Sequence, residues 1–192
     1  MTEKLRLFVG VPLDADALAH VDTLAGKLRD ACTEGRWKAS WVGPKNMHIT
    51  LEFLGDVDAA RAEGIGPALE GMRVHAPFEI ELGGFGAFPS VARPSVLWIG
   101  VRAGTAELSA LATEVQSRLE PLGFVPEARE YQPHVTLARV KRPGSALAPI
   151  LRSFEASRGC QSRVREIVLY HSVLEQSGSV YHPLRRIPLG TQ

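Results

Sequence analysis

The amino-acid sequence predicts an α+β fold with two pseudo-symmetric lobes and an active-site cleft between them. Two strand-helix-strand series of similar length, in residues 5–54 and 95–140, each end in a strand that carries the pattern His-x-Thr-Leu. The last strands of the chain are not followed by a helix, which favours an antiparallel or mixed sheet. No linker separates the two halves, so we expect residues 1–192 to form a single two-lobed domain.

The individual elements follow from the spacing of apolar residues. Period-two alternation predicts strands, and apolar residues at i, i+3 and i+4 predict helices. The predicted strands are residues 5–11, 37–42, 46–54, 78–82, 95–101, 132–140, 164–174 and 180–187. A helix capped by Asp14 or Asp16 should run to about residue 32, another should cover 108–119, and weaker helical stretches cover 58–72 and 150–154. The Gly- and Pro-rich residues 83–94 are expected to form a loop, with Gly83–Gly86 as a turn.

Composition excludes several classes of protein. The chain has 192 residues, of which 45% are hydrophobic and 22% charged, with a formal net charge of +1. This charge excludes a broadly basic nucleic-acid-binding surface, so any site for a polyanion must be a local patch. Cys32 and Cys160 are too few for a disulfide framework and lack the spacing of a zinc site. No apolar leader and no uncharged apolar run of about 18 residues occur, so we expect a cytoplasmic protein without membrane contact.

The two motif strands should each present one polar face. Because side chains alternate along a strand, His48 and Thr50 share a face, as do His134 and Thr136. The opposite face of each strand should be buried. It should hold Ile49, Leu51 and Phe53 in the first strand, and Val135 and Leu137 in the second. Glu52 should share the face of His48.

These residue types suit phosphodiester cleavage. Histidine is the side chain best matched to proton transfer near neutral pH, so one of the pair can donate a proton while the other accepts one. A threonine hydroxyl two residues further along can donate to an anionic phosphoryl oxygen. A metal site is not expected, since no cluster of His, Cys, Asp and Glu has ligand spacing beside these strands.

The chain resembles the two-histidine phosphoesterase superfamily, and more closely the bacterial and archaeal RNA 2′,3′-cyclic phosphodiesterases, first described as 2′-5′ RNA ligases. The two motifs carry the resemblance, namely His48-Ile49-Thr50-Leu51 with Phe53-Leu54-Gly55, and Pro133-His134-Val135-Thr136-Leu137-Ala138-Arg139. Supporting matches are Arg6-Leu7-Phe8, Trp41-Val42, Gly86-Ala87-Phe88-Pro89 with Pro94, Leu97-Trp98 and Gly123-Phe124.

The resemblance implies a substrate, a mechanism and a division of roles. The substrate would be RNA with a 2′,3′-cyclic phosphate terminus, hydrolysed to a 2′-phosphate without a metal or nucleotide cofactor. His48 would be the proton donor and His134 the proton acceptor, and Thr50 and Thr136 would hold the non-bridging oxygens. The helices would lie on the outer faces of the lobes. The reverse reaction, 2′-5′ ligation, should be unfavourable because ring opening relieves strain.

Three further residues are candidates for substrate binding. Arg139 matches a basic position of the motif and could pair with phosphate, but a regular strand would direct it away from the site unless the strand ends or bulges near Ala138. Phe8 and Tyr131 could stack on a base or could belong to the core. Lys45, Lys141 and Arg142 flank the motifs and could form a basic rim for RNA phosphates.

Two other functions remain open at this point. One is a different two-histidine phosphoesterase reaction, on ADP-ribose 1″,2″-cyclic phosphate or on 2′-5′ linkages. The other is an RNA-end-binding protein without turnover, against which the retention of both histidines and both threonines argues. We expect a monomer.

Overall fold

Nine strands form one antiparallel sheet in the computed structural model, which describes residues 4–125, 130–175 and 178–190. The strands are β1 (Lys4–Pro12), β2 (Lys38–Trp41), β3 (His48–Asp58), β4 (Phe78–Ser90), β5 (Arg93–Ala103), β6 (His134–Arg142), β7 (Cys160–Val164), β8 (Glu166–Glu175) and β9 (Gly178–Pro188). The helices are α1 (Ala15–Glu34), α2 (Ala59–Ala62), α3 (Ile65–Leu69), α4 (Thr105–Leu119) and α5 (Leu147–Arg152), with single 3₁₀ turns at Pro44–Asn46, Glu70–Val74 and Glu120–Leu122.

The two motif strands lie next to each other in the middle of the sheet. The strand order is β7-β4-β5-β6-β3-β1-β8-β9, and β2 pairs with the outer part of β6. β3 and β6 meet at the pair Ile49 and Val135, beyond which they diverge. β3 therefore borders three further strands on its side of the sheet and β6 borders four, including β2, which agrees with the duplicated pattern of the sequence. The division of the domain into two lobes stays a prediction.

One face of the sheet packs on the long helices. Asp14 caps α1 by accepting a hydrogen bond from the backbone N–H of Ala17 at 3.0 Å. Leu7, Val9 and Val11 of β1 are fully buried in the same core as the apolar face of α1, as their alternation predicts. The even-numbered side chains of β1 therefore point to the opposite, open face of the sheet.

Both motif strands contain a β-bulge directly after the threonine. In β3, Thr50 pairs with Gly10 and Glu52 pairs with Val9, so Leu51 is an extra residue. In β6, Thr136 pairs with Trp98 and Ala138 with Leu97, so Leu137 is the extra one. A bulge reverses the alternation of side chains beyond it.

The bulge in β3 corrects two predictions from simple alternation. Phe53, expected in the core, is 50% exposed on the open face, since its partner on β1 is Phe8. Glu52, expected beside His48, is only 7% exposed and accepts a hydrogen bond of 2.6 Å from the side-chain amide of Gln116 on α4.

The predicted loop over residues 83–94 is also wrong. Most of it belongs to the β4–β5 hairpin, and Gly83–Gly86 lies within β4 rather than in a turn. Gly86 pairs with Trp98, and a Cβ at Gly86 would collide with the indole ring. Gly86, one of the glycines that suggest a loop, therefore makes room for a tryptophan on the neighbouring strand.

One further strand and one strand end differ from the sequence-based prediction. Strand β7 was not predicted, and β3 continues past Gly55 to Asp58 instead of ending there. Gly55 has a φ of +70°, which a glycine adopts without strain. Among the described residues, no helix is both long enough and apolar enough to cross a membrane.

Candidate active site

A pocket of about 430 Å³ opens on the face of the sheet that carries the motif side chains. His48 and Thr50 of β3 and Thr136 and Arg139 of β6 contribute to its wall. The other lining residues are Arg6, Phe8, Val42, Asn46, Phe53, Ser172, Leu174, Ser179 and Tyr181. His134 is not in this wall, but it projects from the same face of β6 as Thr136, two residues away.

The two histidines are oriented by the same hydrogen bond. Nδ1 of His48 lies 2.7 Å from the carbonyl oxygen of Asn46, and Nδ1 of His134 lies 2.7 Å from that of Gln132. A carbonyl oxygen can only accept, so Nδ1 carries the proton in both rings. In each neutral ring Nε2 is therefore the atom that is free to take up a proton, which is the arrangement that acid-base chemistry requires.

The threonine hydroxyl completes the first motif. Thr50 Oγ1 lies 3.1 Å from Nε2 of His48, so the hydroxyl donates to the neutral imidazole. When His48 is protonated, Nε2 becomes a donor and the hydroxyl of Thr50 is free to turn toward an anionic oxygen.

Aromatic rings surround the two imidazoles unequally. Phe8 stacks on His48 with ring centroids 4.7 Å apart, and Tyr181 meets it edge-on at 5.2 Å, with Tyr170 at 5.8 Å. His134 is approached edge-on by Phe88 at 4.8 Å, and the tilted ring of Trp98 lies 6.1 Å away. His48 is thus the more enclosed of the two rings.

Burial among these rings lowers the pKa values of both histidines. The pKa of His48 is lowered to about 4, mainly because the ring is buried; the hydrogen bond to the Asn46 carbonyl opposes this shift, and the charge of a protonated His134 adds to it. Burial also lowers the pKa of His134, against the effect of the Gln132 carbonyl. In the free protein both rings are therefore neutral at pH 7.

Asn46 connects the first motif to the last strand of the sheet. Its side-chain amide donates a hydrogen bond of 2.6 Å to the carbonyl oxygen of Ser179 on β9, while its own carbonyl accepts from His48. Gln132, at the matching position before His134, has an exposed side chain. The orientation of His48 is thus tied to β9 through a single residue.

Arg139 of β6 lies in the wall of the pocket. The bulge at Leu137 turns Arg139 toward the open face, and its exposed side chain lines the pocket. The condition that the sequence left open, a bulge near Ala138, is met. Phosphate binding by Arg139 itself stays a prediction.

The two aromatic candidates are placed differently from one another. Phe8 is only 3% exposed and packs against His48 and Tyr170, so little of its ring is open to a base. The hydroxyl of Tyr131 donates to the carbonyl oxygen of Thr50 at 3.1 Å, and burial raises the pKa of Tyr131. Tyr131 is not among the residues that line the pocket.

Sequence reasoning missed four residues of the site. Phe53 offers a half-exposed ring to the pocket, with the guanidinium of Arg6 4.9 Å from its centroid, and only the bulge places it there. Tyr170 and Tyr181 come from the C-terminal hairpin, which has no motif. The signal for Asn46 was a hydrogen-bonding side chain two residues before a motif histidine. Within the described part of the chain, no group of three or more His, Cys, Asp or Glu side chains could hold a metal ion.

Comparison with known proteins gives consistent matches along the chain. A sequence model of the 2′-5′ RNA ligase superfamily matches residues 46–175. The RNA 2′,3′-cyclic phosphodiesterase of Aeropyrum pernix is 39% identical over 163 residues, which cover 84% of this chain and 92% of that protein. The protein of the same name from Archaeoglobus fulgidus is 35% identical over 183 residues, covering 94% of this chain and 98% of that one.

Comparison of folds agrees with the comparison of sequences. The crystal structure of Escherichia coli LigT complexed with 3′-AMP superposes with a TM-score of 0.76 and 25% sequence identity, covering 98% of this chain and 100% of that one. The α+β fold with an antiparallel sheet that the sequence predicts is therefore confirmed.

Proposed function

The chain belongs to the 2′-5′ RNA ligase superfamily, and we propose that it hydrolyses the 2′,3′-cyclic phosphate at RNA ends, with His48 and His134 as its acid-base pair. The names of its relatives confirm the class of enzyme that the sequence predicts. One observation carries the assignment of residues: two histidines on adjacent strands have Nδ1 occupied by a backbone carbonyl and Nε2 available for proton transfer.

The proposed reaction is an attack of water on phosphorus. Nε2 of His134 accepts a proton from the water, whose oxygen forms the new bond to phosphorus. The bond from phosphorus to the 3′ oxygen breaks, and the proton on Nε2 of His48 passes to that oxygen. The product is an RNA with a free 3′ hydroxyl and a 2′-phosphate, and exchange with solvent returns both imidazoles to their starting state.

The threonines and Arg139 act on the charge of the phosphoryl group. The hydroxyls of Thr50 and Thr136 donate to the two non-bridging oxygens, whose negative charge grows as water attacks. Arg139 adds a fixed positive charge on the same side of the pocket. Phe53, rather than Phe8, offers the open ring face on which the terminal base can stack. We assign Phe8 and Tyr131 to the support of His48 and Thr50.

Substrate binding has to change the protonation of the pair. His48 is the proposed proton donor and must therefore carry a proton on Nε2 when the reaction begins. In the free protein its pKa is about 4, so at neutral pH it does not carry that proton. A bound phosphate brings a negative charge close to both imidazoles and raises their pKa values. The substrate therefore supplies part of the electrostatic environment in which His48 can act as an acid.

One assay tests the proposed function against its alternatives. The protein is incubated with an oligoribonucleotide ending in a 2′,3′-cyclic phosphate and with excess chelator, and the product is identified by mass spectrometry and phosphorus NMR. We expect hydrolysis to a 2′-phosphate end. A 3′-phosphate product or a requirement for metal would contradict the mechanism.

Assays with other substrates under the same conditions distinguish the proposed function from its alternatives. Faster turnover of ADP-ribose 1″,2″-cyclic phosphate or of a 2′-5′ linked dinucleotide would assign the protein to another reaction of two-histidine phosphoesterases. Tight binding of the cyclic end without turnover would indicate an RNA-end-binding protein. We place the enzyme in the cytoplasm and expect it to act as a monomer.

A further inference from the structure

Three cationic side chains extend from the pocket along the strand pair β2–β6. Residues directly opposite each other on antiparallel strands share a face, and the register pairs Ser40 with Arg139 and Lys38 with Arg142. Ala39 and Val140, the pair between them, pack against the core. Lys38 and Arg142 therefore lie on the same open face as Arg139, which lines the pocket.

The pair Lys38 and Arg142 places like charges opposite each other. Such cross-strand pairs are destabilising unless an anion lies between or above them. Both side chains are exposed, and neither forms an ion pair with an acidic side chain of the described residues. Glu34 alone supplies negative charge to the shallow depression beside them, which also contains Arg36 and Arg142.

The other motif strand has the opposite charge at the matching position. Asp56 stands eight residues after His48, as Arg142 does after His134, and pairs with Arg6 on β1. The guanidinium of Arg6 lies 3.7 Å from the carboxylate of Asp56, so this pair is neutral. A polyanion leaving the pocket thus meets a neutral pair on the β1–β3 side and an unneutralised cationic pair on the β2–β6 side.

We propose that the RNA chain leaves the active site over β2–β6, and that Lys38 and Arg142 bind phosphates on the 5′ side of the cyclic end. Lys141 is an extra residue in β6, so Arg142 lies opposite Lys38, two residues along β2 from Ser40, which pairs with Arg139. At about 3.3 Å per residue, Arg142 therefore lies about 7 Å beyond Arg139, a span that one or two nucleotides cover. The cyclic phosphate occupies the pocket, so the upstream phosphates reach this pair. The inference rests on the proposed function and adds the direction of the RNA.

Substrates of different length distinguish the contribution of Lys38 and Arg142 to binding from that of the pocket. The double variant Lys38→Gln/Arg142→Gln is compared with the wild type on a nucleoside 2′,3′-cyclic phosphate, which has no upstream phosphate, and on an oligoribonucleotide with the same end. We expect KM for the oligoribonucleotide to rise about tenfold at about 0.1 M salt and kcat/KM for the nucleoside substrate to stay unchanged.

The salt dependence gives an independent readout that needs no turnover. Binding of a labelled oligoribonucleotide with a 2′-phosphate end is followed by fluorescence anisotropy across salt concentrations. The slope of log Kd against log salt should fall by about 1.4 in the double variant, about 0.7 for each lost phosphate contact to single-stranded nucleic acid. This binding assay tests the RNA path even if the wild type hydrolyses neither substrate. Absence of hydrolysis would contradict the proposed function but not the proposed path.

A matched control removes the same charge elsewhere. Arg163 and Arg165 are exposed, at and just beyond the end of edge strand β7, so Arg163→Gln/Arg165→Gln tests the effect of net charge. We expect this variant to bind like the wild type. Equal losses in both double variants, an unchanged salt slope in Lys38→Gln/Arg142→Gln, or an equal loss on both substrates would overturn the proposed path.

Discussion

His48 and His134 make the same hydrogen bond through Nδ1 but stand in different surroundings. Three aromatic rings enclose His48, whereas His134 is approached by two, Phe88 edge-on and Trp98 tilted. Two copies of one motif therefore provide two imidazoles of unequal basicity, which is what a division into acid and base requires. The sequence alone shows the matching residues but not the rings that make them unequal.

The protonation of His48 is the first prediction. Its pKa in the free protein should be about 4 and should rise when a nucleoside 2′-phosphate binds, because the phosphate places a negative charge beside the ring. NMR titration of the imidazole signals, assigned with a His48→Asn variant, measures both values. A free-state pKa at or above 6.5, or no rise on binding, would be inconsistent with this electrostatic description.

The two bulges are the decisive features at the level of the strand. Each follows a threonine and shifts the side-chain alternation, so that Phe53 and Arg139 reach the pocket from strands that would otherwise bury them. Strict alternation predicted the faces of His48, Thr50, His134 and Thr136, since these precede the bulges. Its errors at Glu52 and Phe53 begin one residue beyond the bulge.

The link from Asn46 to β9 gives a second prediction. Asn46→Ala removes the hydrogen bond to the carbonyl of Ser179 and loosens the turn whose carbonyl orients His48. We expect kcat to fall about tenfold with little change in KM, as for other groups that orient a reacting side chain. Steady-state kinetics and the pH profile of kcat measure the effect.

Gln132→Ala is the matched control for Asn46→Ala, since it leaves the backbone carbonyl that orients His134 in place. Its kinetics should remain close to those of the wild type. Asn46→Asp should behave like Asn46→Ala, because a carboxylate cannot donate to a carbonyl. Equal effects of the alanine variants at 46 and 132 would exclude this positioning role.

Tyr131 provides a third prediction about the contact between the motif strands. Tyr131→Phe removes the hydroxyl that donates to the Thr50 carbonyl and should lower the free energy of unfolding by about 1 kcal/mol. Urea denaturation measures this loss. We expect kcat/KM to change less than twofold. A raised KM with unchanged stability would instead indicate that Tyr131 binds the substrate.

Across the whole molecule, the sequence shows periodic segments better than it shows how they assemble. The repeated strand-helix-strand pattern predicted the α+β class and the paired motifs, because alternation and motif spacing are local properties. It did not predict that β3 and β6 are neighbours, or that Tyr170 and Tyr181 reach His48 from the C-terminal hairpin. Those contacts depend on pairing between distant strands, which leaves no local pattern.

The stability of the fold should depend on the protonation of His48. Its folded pKa of about 4 lies below the unfolded value of about 6.5, so the unfolded chain binds protons more readily between these limits. Stability is retained above pH 6.5 and lost as the pH falls toward 4, by up to about 3 kcal/mol from this group. Urea denaturation at several pH values should show a shallower loss in His48→Asn, and an equal loss in both proteins would contradict the pKa shift.

A comparison of single and double variants tests whether the two histidines act together on one cyclic phosphate. Turnover of a nucleoside 2′,3′-cyclic phosphate in excess chelator is measured for the wild type, His48→Ala, His134→Ala and the double variant. Each single variant should lose roughly 10²–10⁴-fold in kcat, and the double variant should lose little more, because acid and base act in one step. Wild-type activity in either single variant, or losses that multiply in the double variant, would contradict joint action of His48 and His134.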